Sequence, residues 1–584
     1  MVDIYGKTLE CTINGDRPAA TFRGGNTEIS FWGRIYNTDA LQPYAAANDA
    51  LTVFNIYADG GLEALSRIDG RFLIIITSPD GIAIVRDRHG IFAQLYYTAS
   101  DFATDLHRLC QAAGGFTPDA ESIATFLATG IIPTPRSAFR DVSKLPAGSA
   151  LVIDRDGRQA IKRLPHAASD TLQIPGDERQ LVELYGRLHT DAIKRRTGDN
   201  HTVGILLSGG YDSGSNLAAL RQCHTGEIRS YSIGFKGDNW TELPLARIMS
   251  QRFGTVHTEY EITGEEILHL PEIVCTIGDP FVEGGLMVNH AAMRLAAADR
   301  LPVIIGGDGS DQYFGTAGRE LALMSLSSRY GLLPMMRLAK SALEHDFTGN
   351  STFLYKVYFR LMSICNALGG ELFGFGPWEL KHMFPGLHTV KHSPVKPASM
   401  DWETLYRLHR QHVDIERTVD QVILFKASRM ADMMGNLMAF PFTDLNLLSL
   451  LDKVPVSMLC RGASVKEIAK GNCTAKYLLK ARYKPLLPPE ITSKKKQGGF
   501  APMPIFFNDD NRRRLLADFI LSSSICREIA DRSRVERFIN RYDATCRDTS
   551  RWFWFRQNEA IKYFSLLSLA TWWEIFVKGK SVTL

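Results

Sequence analysis

The chain has 584 residues, 45% of them hydrophobic and 22% charged, more than one ordinary core organises, so two or more globular domains are expected. A net charge of +4 is small for this length and no long basic run exists beyond SKKKQ, which argues against a nucleic-acid-binding surface. Nine dispersed cysteines without a C-x-x-C pair fit free thiols in a reducing compartment better than a disulfide framework or a zinc site.

In chain order, the opening MVDIYGKTLECTING has no basic segment followed by an apolar one, so no signal peptide is expected and the location expected is cytoplasmic. Residues 1–165 alternate short β-like runs with turns: TEISFWGRIYN, GRFLIIITSPDGIAIVRDRHGIFAQLYYT and GSALVIDRDGRQAIKRL, with SPDG and DRDG as hairpin signals. Residues 166–180 are polar, contain proline and lack helical periodicity, as a linker would. From 181 to 584 the pattern becomes strand–helix alternation. TVGILL (202–207) reads as a buried strand followed by a helix from near Gly214, IRSYSIGF (228–235) as a second strand, and PVIIGG (302–307) as another. LPLARIMSQRF and HAAMRLAAADR are crossover helices, and the chain beyond residue 315 is mostly helical. The late apolar stretch YFSLLSLATWWEIFV is interrupted by Glu574 and reads as a core helix, so no membrane insertion is expected. The fold class is therefore α/β: a sheet-rich N-terminal domain, then a parallel-sheet domain with a helical C-terminal part.

Strand TVGILL runs straight into Ser208-Gly209-Gly210-Tyr211-Asp212-Ser213. Such a loop is either a glycine-and-serine turn or a cradle in which backbone N–H groups and a helix N-terminus hold a pyrophosphate. No G-K-[ST] follows, so it is not the Walker loop. The second loop favours the cradle: PVIIGG ends in Gly307-Asp308-Gly309-Ser310-Asp311. Two aspartates, Asp212 and Asp311, at the ends of two parallel strands can share a Mg²⁺ bound to pyrophosphate.

These segments resemble the synthetase domain of the asparagine synthetase family, within the PP-loop ATP pyrophosphatases. LLSGGYDSGS is similar to its S-G-G-x-D-S loop, GDPF and IIGGDGSDQYFG to its G-E-G-S-D-E-x-F-G segment, and AKYLLKARYKPLLPPEITSKKKQGGFAP to its K-Y-L-L and R-K-K-Q-G-F segments. SRMADMMGNLMAFPFTD follows the frame of D-R-x-S-M-x-x-S-L-E-x-R-x-P-F-L-D. FWGRIYNTDAL and RIDGRFLIIITSPDGIAIVRDRHGIFAQLYY resemble the family's glutaminase domain, an Ntn-hydrolase-like fold. That domain uses a cysteine directly after the initiator methionine and an asparagine in its oxyanion hole. Here those positions are Val2 and Trp32, so the resemblance implies a fold kept and glutamine hydrolysis lost.

The resemblance further implies ATP and Mg²⁺ as cofactors and attack of a substrate carboxylate on the α-phosphate, giving an acyl-adenylate that an amine then captures. Asp212 and Asp311 would hold Mg²⁺. Ser208, Gly209, Gly210, Ser213, Gly307 and Ser310 would cradle the phosphates, and the backbone at Leu207, Ile233 and Gly234 would hold adenosine. Lys496 would stabilise charge on the reacting acyl group, with the other two lysines of the KKK run on a solvated face. Asp308 stands where asparagine-forming members have Glu and β-lactam-forming members have Tyr; it is either an amine-directing base or an Asx turn. Leu437 and Ala439 replace the family's glutamate and arginine, leaving Met433, Met434, Leu437, Met438 and Phe440 as either core or an apolar substrate wall. The expected activity is an amide-forming ligase or cyclase of the β-lactam or lasso-peptide type in specialised (antibiotic-like) metabolism. Its substrate would be a small-molecule or peptide carboxylate, and its partner a protein of the same pathway. The alternatives are an ammonia-dependent asparagine synthetase-like enzyme and a non-catalytic scaffold that keeps the fold.

Overall fold

The computed structural model describes residues 2–7, 12–165, 172–237, 241–346, 351–369, 374–387, 395–494 and 501–584. Strands β1 (Ile4–Lys7), β2 (Thr12–Gly15), β3 (Ala20–Gly24), β4 (Thr27–Ile35), β5 (Gly70–Ser78), β6 (Gly81–Arg86), β7 (Tyr96–Tyr97), β8 (Asp101–Ala103), β9 (Ser143–Lys144), β10 (Ser149–Asp154) and β11 (Gln159–Arg163) build the N-terminal region. They form two antiparallel sheets, ordered β11-β10-β6-β5-β4-β3 and β2-β1-β8-β7-β9. The SPDG and DRDG turns close the β5–β6 and β10–β11 hairpins.

β5 is apolar at consecutive positions because both of its faces are covered. Phe72, Ile74 and Ile76 pack with Val53 and Ile56 of the helix Asp49–Ala64, while Leu73 and Ile75 pack with Ile4, Phe102 and Leu151 of the intervening layer. A period of two thus sorts one strand into two cores. Trp32 lies in the second of these cores, 4% exposed, with Val2 packed against it, and its indole N–H donates to the Asp16 carbonyl at 3.1 Å.

Among the described residues, the next regular element after Arg163 is the helix Glu178–Thr197, capped by Asp177, which accepts from the Gln180 N–H at 2.9 Å. The helix therefore starts inside the expected 166–180 linker, because Asp177 supplies the cap that a helix N-terminus needs. It leads into a second sheet made of β12 (Thr202–Leu206), β13 (Glu227–Phe235), β14 (Val256–Ile262), β15 (Ile304–Ile305) and β16 (Met438–Ala439). The order is β14-β13-β12-β15-β16 and every pairing is parallel. Connections run outward from β12 to β13 and β14, then return to the opposite side for β15. The reversal of direction lies between β12 and β15, where open α/β sheets leave a crevice at the strand C-termini.

Helices Tyr211–Cys223, Leu243–Phe253 and Leu286–Ala297 make the crossovers. The late apolar stretch is the buried helix Phe553–Trp572 and its wider continuation Trp573–Val577. Glu574 is tolerated there because it accepts from the Ser524 N–H at 2.6 Å and pairs with Lys580 at 2.7 Å. Among the described residues no helix is long and apolar enough to cross a membrane, and the eight described cysteines are free thiols.

A π-helical segment, Arg410–Ile423, stands between the two sheet regions. Its Asp420 pairs with His89 at 2.7 Å, its Gln421 accepts from the Thr134 N–H at 2.9 Å, and its Asp414 accepts from the Thr316 hydroxyl at 2.6 Å. Arg196, fully buried, clamps the same boundary: it reaches Asp69 at 3.0 Å and Asp444 at 3.2 Å.

Candidate active site at the sheet reversal

The two glycine-rich loops leave β12 and β15 on either side of the reversal point and meet. Gly307 lies so close to the first loop that a Cβ there would stand 3.4 Å from the Ser213 nitrogen and 3.7 Å from the Asp212 carbonyl carbon. The Ser310 hydroxyl donates to Asp212 Oδ1 at 2.7 Å. Neither loop is positioned by its own strand alone. Asn216 donates to the Gly306 carbonyl at 3.0 Å and bonds His189 Nε2 at 2.8 Å, while His189 Nδ1 meets the Tyr483 hydroxyl at 2.7 Å. Burial holds the His189 pKa down at about 4, so the ring is neutral and joins the helix Glu178–Thr197 to both loops.

The first loop is internally bonded. The Ser208 N–H donates to Ser213 Oγ at 3.0 Å, the two hydroxyls lie 2.9 Å apart, and the Gly210 N–H donates to Ser208 Oγ at 3.2 Å. The helix that follows begins at Tyr211, not near Gly214, with Gly210 as its extended N-cap. Asp212 and Ser213 therefore sit in the first turn, where the helix N-terminus favours negative charge. The Gly209 N–H donates to Glu242 Oε2 at 3.2 Å, and Glu242 in turn pairs with Lys494. A carboxylate thus already engages one N–H of the expected phosphate cradle. Lys494, expected on a solvated face, is half-buried in this ion pair because Glu242 requires a counter-charge.

Asp212 and Asp311 converge as their spacing suggested, but on a lysine that motif reading left unassigned. Lys476 Nζ stands 2.5 Å from Asp212 Oδ1 and 2.8 Å from Asp311 Oδ1, and the residue is 5% exposed. Burial acts to lower its pKa, yet the two carboxylates outweigh that and raise it, so the ammonium stays charged. Lys476 adopts φ 54°, in the left-handed region, a conformation costing roughly 1–2 kcal/mol for a residue with a Cβ. The double ion pair accounts for its persistence. The lysine of AKYLL was legible as a motif member; that it reaches across to both loops was not.

The half-buried Asp308 has its pKa pushed up to about 6 by burial; Lys426 opposes the rise and Glu283 and Asp212 add to it. Lys426 and Glu283 form an ion pair of their own. Met438 and Phe440 border this carboxylate: a Cβ on Gly306 would meet Met438 Cε at 2.4 Å, Asp308 Oδ2 at 3.1 Å and Phe440 Cδ1 at 3.1 Å. Both are buried, whereas Met433, Met434 and Leu437 are half-buried and packed against the core.

The Leu207 side chain is core. Its N–H donates to the Tyr231 carbonyl at 2.9 Å and its carbonyl accepts from the Ser232 hydroxyl at 2.5 Å. Ile233 and Gly234 lie at the C-terminal end of β13, where a Cβ on Gly234 would strike Leu243 and Thr241. Lys496 lies outside the described residues. The donor set suits a magnesium–pyrophosphate: Mg²⁺ commonly takes one or two protein carboxylates and fills its shell from phosphate oxygens and water.

The Asparagine synthase family profile matches residues 185–574, and a Glutamine amidotransferase domain profile matches residues 8–163. A candidate glutamine-hydrolysing asparagine synthetase of Mycobacterium bovis is 24% identical over 594 residues, covering 95% of this chain and 85% of its own length. Glutamine-hydrolysing asparagine synthetase 1 of Bacillus subtilis is 24% identical over 519 residues, covering 84% and 78% respectively. The rat asparagine synthetase is 26% identical over 305 residues, covering 49% and 53%. With two thirds of its length inside one profile, the chain belongs to the asparagine synthase family of ATP-dependent carbon–nitrogen ligases.

Proposed function

We propose that this protein adenylates a substrate carboxylate with ATP and joins the acyl group to an amine of the same substrate, closing a lactam or macrolactam in specialised metabolism. The observation that carries this reading is the meeting of Asp212, Asp311 and Lys476 between two glycine-rich loops at the sheet reversal.

The carboxylate oxygen attacks the α-phosphorus, the bond to the bridging oxygen breaks, and pyrophosphate leaves. Ser208, Gly209, Gly210, Ser213, Gly307 and Ser310 hold the departing phosphates, with Glu242 withdrawing from the Gly209 N–H. The backbone at Leu207 and Ile233 borders adenosine. A Mg²⁺ held by Asp212 and Asp311 would neutralise charge on the leaving pyrophosphate. Lys476 stays protonated beside that charge. The amine nitrogen then attacks the acyl carbon, AMP departs, and the amine proton passes to Asp308. A carboxylate with a pKa raised to about 6 is a better base than an ordinary aspartate and is still mostly ionised near neutral pH. Lys496 stabilises the oxyanion of the tetrahedral intermediate.

An amine from the substrate itself is favoured because the glutaminase positions carry Trp32, inside an apolar core, and Val2, packed against that core, without the thiol or amide that hydrolysis needs. Similarity to asparagine synthetases over nearly the whole chain supports a second reading, amidation by free ammonia.

The test measures AMP and pyrophosphate release by purified protein with Mg-ATP and a panel of amino-carboxylates and short peptides. The expected result is release without ammonium and a product one water lighter than its substrate. Release only with ammonium, with a new primary amide in the product, establishes the second reading instead. Asp212→Ala and Asp311→Ala are each expected to abolish AMP formation without unfolding the chain. Normal turnover in either would overturn the metal and phosphate assignment.

A further inference from the structure

A cavity of about 280 Å³ lies away from the two loops, between the N-terminal sheet domain and the π-helical segment Arg410–Ile423. It is close to the smaller end of the ~300–1,000 Å³ typical of ligand pockets. The N-terminal domain contributes Leu65, Ile68 and Phe72 to its wall and the π-helical segment contributes Val413, so part of the lining is apolar.

The charged lining is unbalanced. Arg88, Arg163 and Arg417 face the cavity together with two acids, Glu416 and Asp420. The acids are already satisfied: Glu416 accepts from Gln411 and bonds His412 at 2.9 Å, and Asp420 pairs with His89 at 2.7 Å. Arg417 donates to the Gly369 carbonyl. Arg88 differs. Its Nε is closed off from solvent without a hydrogen-bond partner, and its guanidinium has no ion pair or hydrogen bond among the described residues. Arg88 is half-buried, and only its Nε is closed off, so the rest of its guanidinium is left for a ligand rather than committed to a partner within the chain. Three arginines against two acids leave one positive charge, matching a monoanion rather than a polyphosphate.

We infer that this interdomain cavity binds a small organic monoanion: a carboxylate on Arg88, with an aliphatic or aromatic body between Leu65, Ile68 and Phe72 of the N-terminal domain and Val413 of the π-helical segment. Such a ligand touches both domains at once and stabilises their contact. The site is independent of the ligase reading, since none of these residues belongs to the two loops.

The experiment is titration calorimetry on the full chain with two probes, octanoate and phenylbutyrate, each compared with its uncharged primary amide. Saturable binding is expected for the carboxylates, weakened roughly tenfold or more in the amides, as loss of a charge-assisted hydrogen bond requires. Arg88→Gln should weaken carboxylate binding to a similar extent. Ala147→Leu, which fills the cavity without altering charge, should abolish it. Absence of saturable binding by both carboxylates overturns the inference, as does equal affinity for the amides. Unaltered binding in a folded Arg88→Gln or Ala147→Leu protein would place the ligand elsewhere and overturn it too. The wild-type comparison of acid with amide decides the matter even if a variant fails to fold.

Discussion

Lys476 is the residue whose role follows from position rather than from motif chemistry. It carries the only ammonium among the described residues that bridges Asp212 and Asp311, and without it two carboxylates would face each other half-buried. Lys476→Gln is expected to lower kcat for AMP formation by about 10²-fold, the usual scale for losing one electrostatic stabiliser of a transition state. Steady-state kinetics against a melting curve would separate that from misfolding. His189 gives a pH signature. Its pKa is about 4 when folded and about 6.5 when unfolded, so only the unfolded chain takes up this proton as pH falls between those values. The stability it provides is complete above roughly pH 6.5 and is lost towards pH 4, amounting to about 3 kcal/mol. Denaturant titrations of His189→Gln should show a flatter acid limb than wild type. An unchanged limb would mean that the ring is protonated in the fold.

At the scale of elements, the site depends on where helices begin and how closely loops approach. Starting the helix at Tyr211 places Asp212 and Ser213 in its first turn, which no periodicity count resolves because S-G-G-x-D-S is neither apolar nor periodic. The close approach is set by glycine. A Cβ on Gly209 would lie 2.7 Å from Leu245 Cβ and 3.0 Å from Glu242 Cβ, both near the backbone and unable to swing away. Gly209→Ala should therefore cost about 1–3 kcal/mol and raise KM for ATP, since it moves Glu242 and the helix Leu243–Phe253 off the loop. Equal stability and KM would show that the two elements slide apart freely. The strands β15 and β16 illustrate the opposite case. PVIIGG predicts a longer strand than the two residues that pair, and Met438–Ala439 gives no strand signal in a segment of methionines. Both exist because the sheet's edge pairs them in register, Ile304 with Met438 and Ile305 with Ala439.

For the whole molecule, the boundary between the two sheet regions is built from buried charge. Arg196 is enclosed between Asp69 and Asp444, and the Asp69 pKa is raised to about 6 by burial even though Arg196 acts to lower it. Arg196→Met should destabilise the protein by about 3–5 kcal/mol, because both carboxylates would remain buried with less compensation. Pairing it with Asp69→Asn should recover part of the loss in chemical denaturation. No recovery would mean that the cost lies in packing. This boundary also ties the N-terminal domain to the rest of the chain. Asp69 meets Arg196, His89 meets Asp420 and the Thr134 N–H meets Gln421 across it.

The two loops, their aspartates and serines, and the family are legible in local sequence, because each motif is a contiguous run of restricted residue types. The β-like run of β5 and the hairpin turns are equally local. Which distant groups join the candidate site follows from how the elements pack. The sheet order β14-β13-β12-β15-β16 makes β12 and β15 neighbours although about 100 residues separate them. The packing of the elements around that sheet also brings Lys476, Asn216 and Glu242 onto the loops, and the contact between the two regions leaves Arg88 unpaired among the described residues at a cavity. Such contacts depend on how separate elements stack, and the energy that selects the stacking is apolar burial spread over the whole core, which no short stretch of sequence encodes.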